Sequence, residues 1–125
     1  MHEHSIIPLT IWLLDKVEES KLRFEHTKRE EKSFSFYEEV KPYCDEVHQT
    51  LQEWEVLAYQ FIKQYHPKYV TKTQIEMCKE HIEQISVQSF YYQTSLKRFK
   101  DATQSAIFIL ETLIERAKEK EPTGK

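Results

Sequence analysis

A single glycine, Gly124, stands in this chain of 125 residues. Glycine reaches φ > 0 without steric cost, so hairpin turns and phosphate-cradling loops depend on it. The corresponding signatures are absent: there is no G-x-G-x-x-G turn, no Walker phosphate loop and no G-x-S-x-G nucleophile elbow. Proline is scarce too, at four residues. A chain built this way favours long helices joined by short polar turns.

The length suits one domain with its own core. At 39% hydrophobic and 31% charged residues, the composition is that of a soluble globular protein. A net charge of −3 gives no sign of a nucleic-acid or anionic-membrane partner. Cys44 and Cys78 are too few for a disulfide scaffold and read as thiols of a cytoplasmic core. The apolar run Ile6 to Leu14 is too short to span a bilayer, has no basic start, and is followed by Asp15-Lys16-Val17-Glu18 in place of a cleavage site. It reads as the buried start of a first helix, and the expected location is cytoplasmic.

Periodicity divides the chain into helices. Tyr37, Val40, Cys44, Val47, Leu51, Trp54, Ala58, Phe61 and Tyr65 recur at alternating spacings of three and four, a heptad seam for a second helix. Ser35 with Glu38 forms a capping box at its start, Pro42 predicts a kink, and Pro67 closes it. Thr71 with Gln74 caps a third helix, with Val70 and Ile75 as a hydrophobic staple. Its face is Ile75, Cys78, Ile82, Ile85, Ser89 and Tyr92. The same register continues through Leu96, Phe99, Thr103, Ala106, Leu110, Leu113 and Ala117. One helix of about 48 residues would be roughly 70 Å long, too long for a small domain, so a turn must interrupt it. Thr94-Ser95 gives helices of equal length, whereas Asp101 with Gln104 is a competing cap; equal lengths place the turn near residues 93 to 98. The first helix spans about 7 to 32, with Ile7, Ile11, Leu14, Val17 and Phe24 inward and outer pairs Glu19–Arg23 and Glu25–Arg29. The prediction is an all-α, single-domain, four-helix up-and-down bundle over residues 1 to 118, with a solvated tail from 119 to 125.

Lys41-Pro42, Pro67-Lys68-Tyr69-Val70, Lys72, Gln74-Ile75-Glu76, Gln88-Ser89 and Lys97-Arg98-Phe99-Lys100-Asp101 carry a resemblance. In these residues, in length and in helix layout, the chain resembles the YppE-like proteins of Bacillus-type bacteria. The resemblance covers most of the chain and is sharpest from about 66 to 110. It implies a cytoplasmic four-helix up-and-down bundle. It implies no activity, because that family is one of unknown function with no catalytic residues to carry over.

No catalytic set emerges from the residues themselves. Cys44 with His48 and Cys78 with His81 have spacings that suit metal ligation from one helix face. Antiparallel threading sets Cys78 opposite about residue 59, so the pairs lie roughly 20 Å apart along the axis and share no ion. A di-metal carboxylate site needs two Glu-x-x-His motifs, and only Asp45-x-x-His48 comes near. His2-Glu3-His4 reads as a loose terminus. Lys97-Arg98-Phe99-Lys100 reads as a solvated turn. No cofactor and no metal is expected, and the chain reads as a non-enzyme.

Two constellations remain. Lys21 falls in the apolar arc of the first helix between Glu18 and Glu25, and Ser89, Tyr92 and Thr103 interrupt the faces of the third and fourth. Threading puts them in one half of the bundle as a polar core layer, a candidate small-ligand site or a register-fixing feature. Val87, Phe90 and Tyr91 lie opposite the third helix's seam and form a candidate partner surface. The leading expectation is a non-catalytic interaction or regulatory module binding an unidentified protein or itself. The alternative is a small-ligand-binding bundle using the polar layer.

Overall fold

The computed structural model describes residues 5–121 and shows four helices: α1 (Ile7–Glu30), α2 (Lys41–Tyr65), α3 (Lys72–Gln88) and α4 (Leu96–Lys120). A π-helical turn, Phe36–Val40, leads into α2. Contacts along each pair run in opposite directions. Thr10 meets Trp54 while Ser20 meets Tyr43, and Tyr59 meets Glu76 while His48 meets Glu83. This is the up-and-down bundle that the periodicity predicts.

The seams of α2, α3 and α4 explain its core. Val47, Leu51, Trp54, Ala58, Phe61, Ile75, Cys78, Ile82, Ile85, Phe99, Ala106, Leu110, Leu113 and Ala117 are all buried, as the spacing requires. Burying each large side chain among them contributes about 1.5–3 kcal/mol over leaving it in water. Val70 and Ile75 are buried together as the staple predicts, and Thr71 with Gln74 forms both bonds of its capping box.

The first helix departs from expectation. Its buried stripe is Leu13, Val17 and Phe24 interleaved with Thr10, Ser20 and Thr27, preceded by Ile6. Ile11, expected inward, is 43% exposed, and Ile7 and Leu14 only flank the core. Three seam positions carry hydroxyls, so the neighbouring apolar stripe looks like the face. Burial of a hydroxyl is tolerated where it is bonded, as at Thr10 and Ser20, whereas Thr27 Oγ1 is buried with no hydrogen-bond partner among the described residues. Thr10 donates to the Ile6 carbonyl at 2.7 Å and accepts from the Trp54 indole at 2.9 Å. The outer pairs differ as well: Glu19 takes Lys16 at 3.4 Å, and Arg29 takes Glu30 at 3.5 Å.

The ends of the seams also depart. Tyr37 is 77% exposed and Leu96 half exposed, because the heptad pattern runs past the packed length of the bundle. Ser35 accepts from the Glu38 amide at 3.2 Å, but the returning carboxylate is Glu39, at 3.1 Å. The widened π turn shifts the register by one residue and takes up the distortion expected at Pro42. The break between α3 and α4 begins earlier than placed, since α3 stops at Gln88. Ser89, Phe90, Tyr91 and Thr94 then make short turn bonds up to Ser95, which caps α4 through the Arg98 amide. Ser86 and Ser89 divert their hydroxyls to the carbonyls of Ile82 and Ser86, which weakens the continuation of the helix. Asp101 pairs with Lys97 and caps nothing. At the other end α4 runs to Lys120, and Glu121 accepts from the Ser5 hydroxyl and the Ile6 amide, so Glu121, expected in the solvated tail, holds the start of α1, while residues 122–125 of that tail lie outside the described residues. His2-Glu3-His4 lies outside the described residues.

The scarcity of glycine has a visible consequence. Glu31, His66 and Tyr69 occupy the left-handed region at φ 48°, 47° and 66°, where other chains place glycine. Among the described residues no helix is long and apolar enough to cross a membrane.

Candidate functional site

The end of the bundle holding the α1–α2 connection and the α3–α4 turn concentrates its polar and aromatic chemistry. Arg23 sits one turn after Ser20 on α1, and its guanidinium lies 4.1 Å from the Tyr43 ring centroid and 4.2 Å from that of Phe90. Its Nε donates to Ser89 Oγ at 2.9 Å and its Nη2 to Ser20 Oγ at 3.2 Å. Guanidinium suits such a place, since it stacks on aromatic faces and is weakly hydrated. The Tyr43 hydroxyl reaches the Lys16 carbonyl at 3.3 Å and Glu19 Oε1 at 3.2 Å. One turn further, Lys28 Nζ donates to the carbonyls of Tyr92 and Thr94 at 2.9 and 2.8 Å and fixes the α3–α4 turn onto α1.

Phe90 is therefore not on the surface. It is 5% exposed, edge-on to Phe34 and to Tyr43 and beneath Arg23, which corrects the expected Val87, Phe90, Tyr91 strip. The early end of α3 turns Phe90 inward. Val87 and Tyr91 remain exposed, and Phe36 and Tyr37, stacked edge-on, join them at this end.

The polar layer is divided. Ser89 is buried but answers to Arg23, and Tyr92 is half-buried and contributes its carbonyl to Lys28. Lys21, Glu25 and Thr103 line a cleft of about 80 Å³ on the opposite flank, between α1 and α4. Lys21 pairs with Glu18 at 3.7 Å, its side chain 42% exposed, and the buried Thr103 hydroxyl donates to the Lys100 carbonyl. Arg23 was hidden in the sequence because a cation four residues after a glutamate reads as half of a surface pair. Its signal is the pair of serines at seam positions, Ser20 and Ser89, which need a donor.

The two cysteine–histidine pairs stay apart. Cys44 lines a hollow of about 200 Å³ with His48, Glu83 and Val87, and burial pushes its thiol up while nearby Arg23 opposes the shift. Burial also drives the Cys78 thiol upward, and its nearest acceptor is the Ala106 carbonyl. Neither thiol is poised as a nucleophile. His48 Nδ1 lies 2.6 Å from Glu83 Oε2, a link between α2 and α3. Among the described residues no three His, Cys, Asp or Glu side chains converge to hold a metal ion. Phe99 of the basic cluster is buried, stacked on Phe24 at 4.1 Å.

The family model for a bacterial domain of unknown function, DUF1798, matches residues 10–117. This chain belongs to that family. It is 30% identical over 113 residues to the uncharacterized protein YppE of Bacillus subtilis strain 168, an alignment covering 90% of this chain and 92% of that one. The crystal structure of YppE superposes with a TM-score of 0.89 at 28% identity, covering 93% of this chain and 94% of YppE. A Listeria innocua protein gives 0.88 at 26% identity over 94% of each chain, and a Staphylococcus aureus DUF1798 protein gives 0.84 at 26% over 94% of this chain and 99% of that one. The resemblance read from the sequence is thus confirmed, and so is the bundle it implied. In this DUF1798 chain the Arg23 junction ties α1, α2 and α3 together beneath an exposed aromatic rim.

Proposed function

We propose that this DUF1798 chain is a non-catalytic cytoplasmic protein that docks a protein partner through the aromatic rim at the Arg23 end of the bundle. The supporting observation is the exposure of Phe36, Tyr37, Val87 and Tyr91 at an end whose underlying residues are tightly bonded. Aromatic side chains presented on a rigid base are the composition of an interface core, because little side-chain entropy is lost when they are covered. Exposed Glu38 and Glu39 flank the rim, so the complementary partner surface is apolar with basic residues around it. A non-catalytic role is favoured by the full burial of Cys78 and by the partial burial of Cys44, which raises its thiol pKa.

The test is a Phe36→Ser, Tyr37→Ser double variant compared with the parent chain in co-purification from its own cells. Both side chains are exposed, so the melting temperature stays within a degree or two, since such surface changes fall within about 0.5 kcal/mol. Loss of one stoichiometric protein partner from the variant supports the proposal. A partner retained by the variant at full stoichiometry, or no stoichiometric protein partner with the parent chain, overturns it.

A further inference from the structure

At the far end of the bundle the α1–α2 seam loses its ties. Among the described residues, Thr10 to Trp54 is the last hydrogen bond joining these helices before α2 ends. Beside this bond and toward the end of the bundle a cleft of about 610 Å³ opens, lined by Ser5, Pro8, Leu9, Glu53, Val56 and Leu57. Its walls are almost wholly carbon, and Val56 is 55% exposed within it. Cavities of some 300–1,000 Å³ lined mainly by apolar side chains are of small-molecule size.

Charge selects among small molecules. From Pro42 to Ile62 the chain has no lysine or arginine, and from Ser5 to Asp15 it again has none, so both walls lack cations. On α2, Glu55 is paired with Lys79 and Asp45 with Lys41, whereas Glu53, one turn before Val56 and Leu57, has no ion pair among the described residues. The positive end of α1 offers nothing to an anion, because the Glu121 carboxylate already accepts from Ser5 and Ile6 there. The lining spans about one turn on each helix, roughly 6 Å of axis, which is short for a docked helix.

We infer that the cleft between the start of α1 and the second half of α2 binds a small amphiphilic amine, with its apolar body against Leu9, Val56 and Leu57 and its ammonium at Glu53. This site stands apart from the aromatic rim, and each is tested without reference to the other.

The experiment is an amide-resolved NMR titration with n-hexylammonium, n-hexanol and hexanoate in turn. Saturable shifts are expected at the amides of Leu9, Glu53, Val56 and Leu57, with hexylammonium favoured over hexanol by about two- to five-fold, the range of one exposed charge pair. Glu53→Gln should erase that preference while hexanol binding stays unchanged. Val56→Trp, which fills the cleft at an exposed position, should remove saturation by all three ligands. Shifts scattered over the surface without saturation overturn the inference. So does binding that Val56→Trp leaves intact, or a hexylammonium preference that survives Glu53→Gln.

Discussion

The two ends of the α1–α2 seam are built from the same pair of helices and packed in opposite ways. Near residues 16 to 23, Tyr43 and Arg23 bring two rings, a guanidinium and two serine hydroxyls into one bonded junction. Near residues 8 and 9, the facing residues are Glu53, Val56 and Leu57, and a cleft lies between them. Apolar content does not separate the two ends, since Pro8, Leu9, Val56 and Leu57 are as hydrophobic as any. Long side chains that reach across the seam do. Bonded polar groups hold two helices at one spacing, whereas small aliphatics without a filler leave room between them.

Trp54 stands at the boundary between these regimes, fully buried with its indole donating to Thr10. Trp54→Ala should cause the largest loss, about 3–5 kcal/mol by urea unfolding, and extend the cleft into the core. Thr10→Val keeps the volume but strands the indole N–H, for about 1–3 kcal/mol. If Thr10→Val is neutral, the seam is held by packing alone and the contrast between its ends loses its basis.

Arg23→Ala is next, at about 2–4 kcal/mol, from two stacked rings at about 0.5–1 kcal/mol each and two serine bonds at about 0.5–1 kcal/mol each. Arg23→Lys should recover less than half of this, because an ammonium cannot stack between two rings and bond both serines. The matching change at the open end, Val56→Ala, should stay within about 0.5 kcal/mol. Equal losses at Arg23 and Val56 in urea unfolding would show that the two ends are alike.

The seams of α2 to α4 were legible because each position from Val47 to Phe61, and most from Ile75 to Ala117, carries an aliphatic or aromatic side chain. The seam of α1 was not, since Thr10, Ser20 and Thr27 sit in it and Ile7, Ile11 and Leu14 form a more hydrophobic stripe one residue over. The end of α3 was hidden for a related reason: Ser89 and Tyr92 extend its heptad spacing, and nothing local marks the hydroxyl bonds that stop it. The junction depends on Arg23 reaching three helices, a tertiary fact with no spacing of its own. The cleft was invisible as well, being an absence of side chain between helices.

Lys21 calls for a smaller number than its position in the sequence suggests. Its side chain is 42% exposed and its contact with Glu18 is 3.7 Å long. Glu18→Gln with Glu25→Gln should lower stability by no more than about 0.5 kcal/mol, the scale of an exposed pair. A loss of several kcal/mol on thermal melting would mean that the flank between α1 and α4 is as tightly bonded as the Arg23 junction.

The smallest effect separates the seam from its connections. Glu31 closes α1 at the bonded end and His66 closes α2 at the open end, both in the left-handed region. A residue with a Cβ is disfavoured there by about 1–2 kcal/mol. Glycine removes that penalty but adds unfolded-chain freedom worth about 0.5–1 kcal/mol. Glu31→Gly and His66→Gly should therefore each raise stability by about 0.5 kcal/mol, and by the same amount. Each keeps its closing backbone bonds, from Glu31 N–H to the Lys28 and Thr27 carbonyls and from His66 N–H to the Ile62 carbonyl. Equal gains in urea midpoint would place the difference between the two ends in the side chains of the seam. A gain at His66 with a loss at Glu31 would instead mean that the connection after α1 helps to hold the bonded end closed.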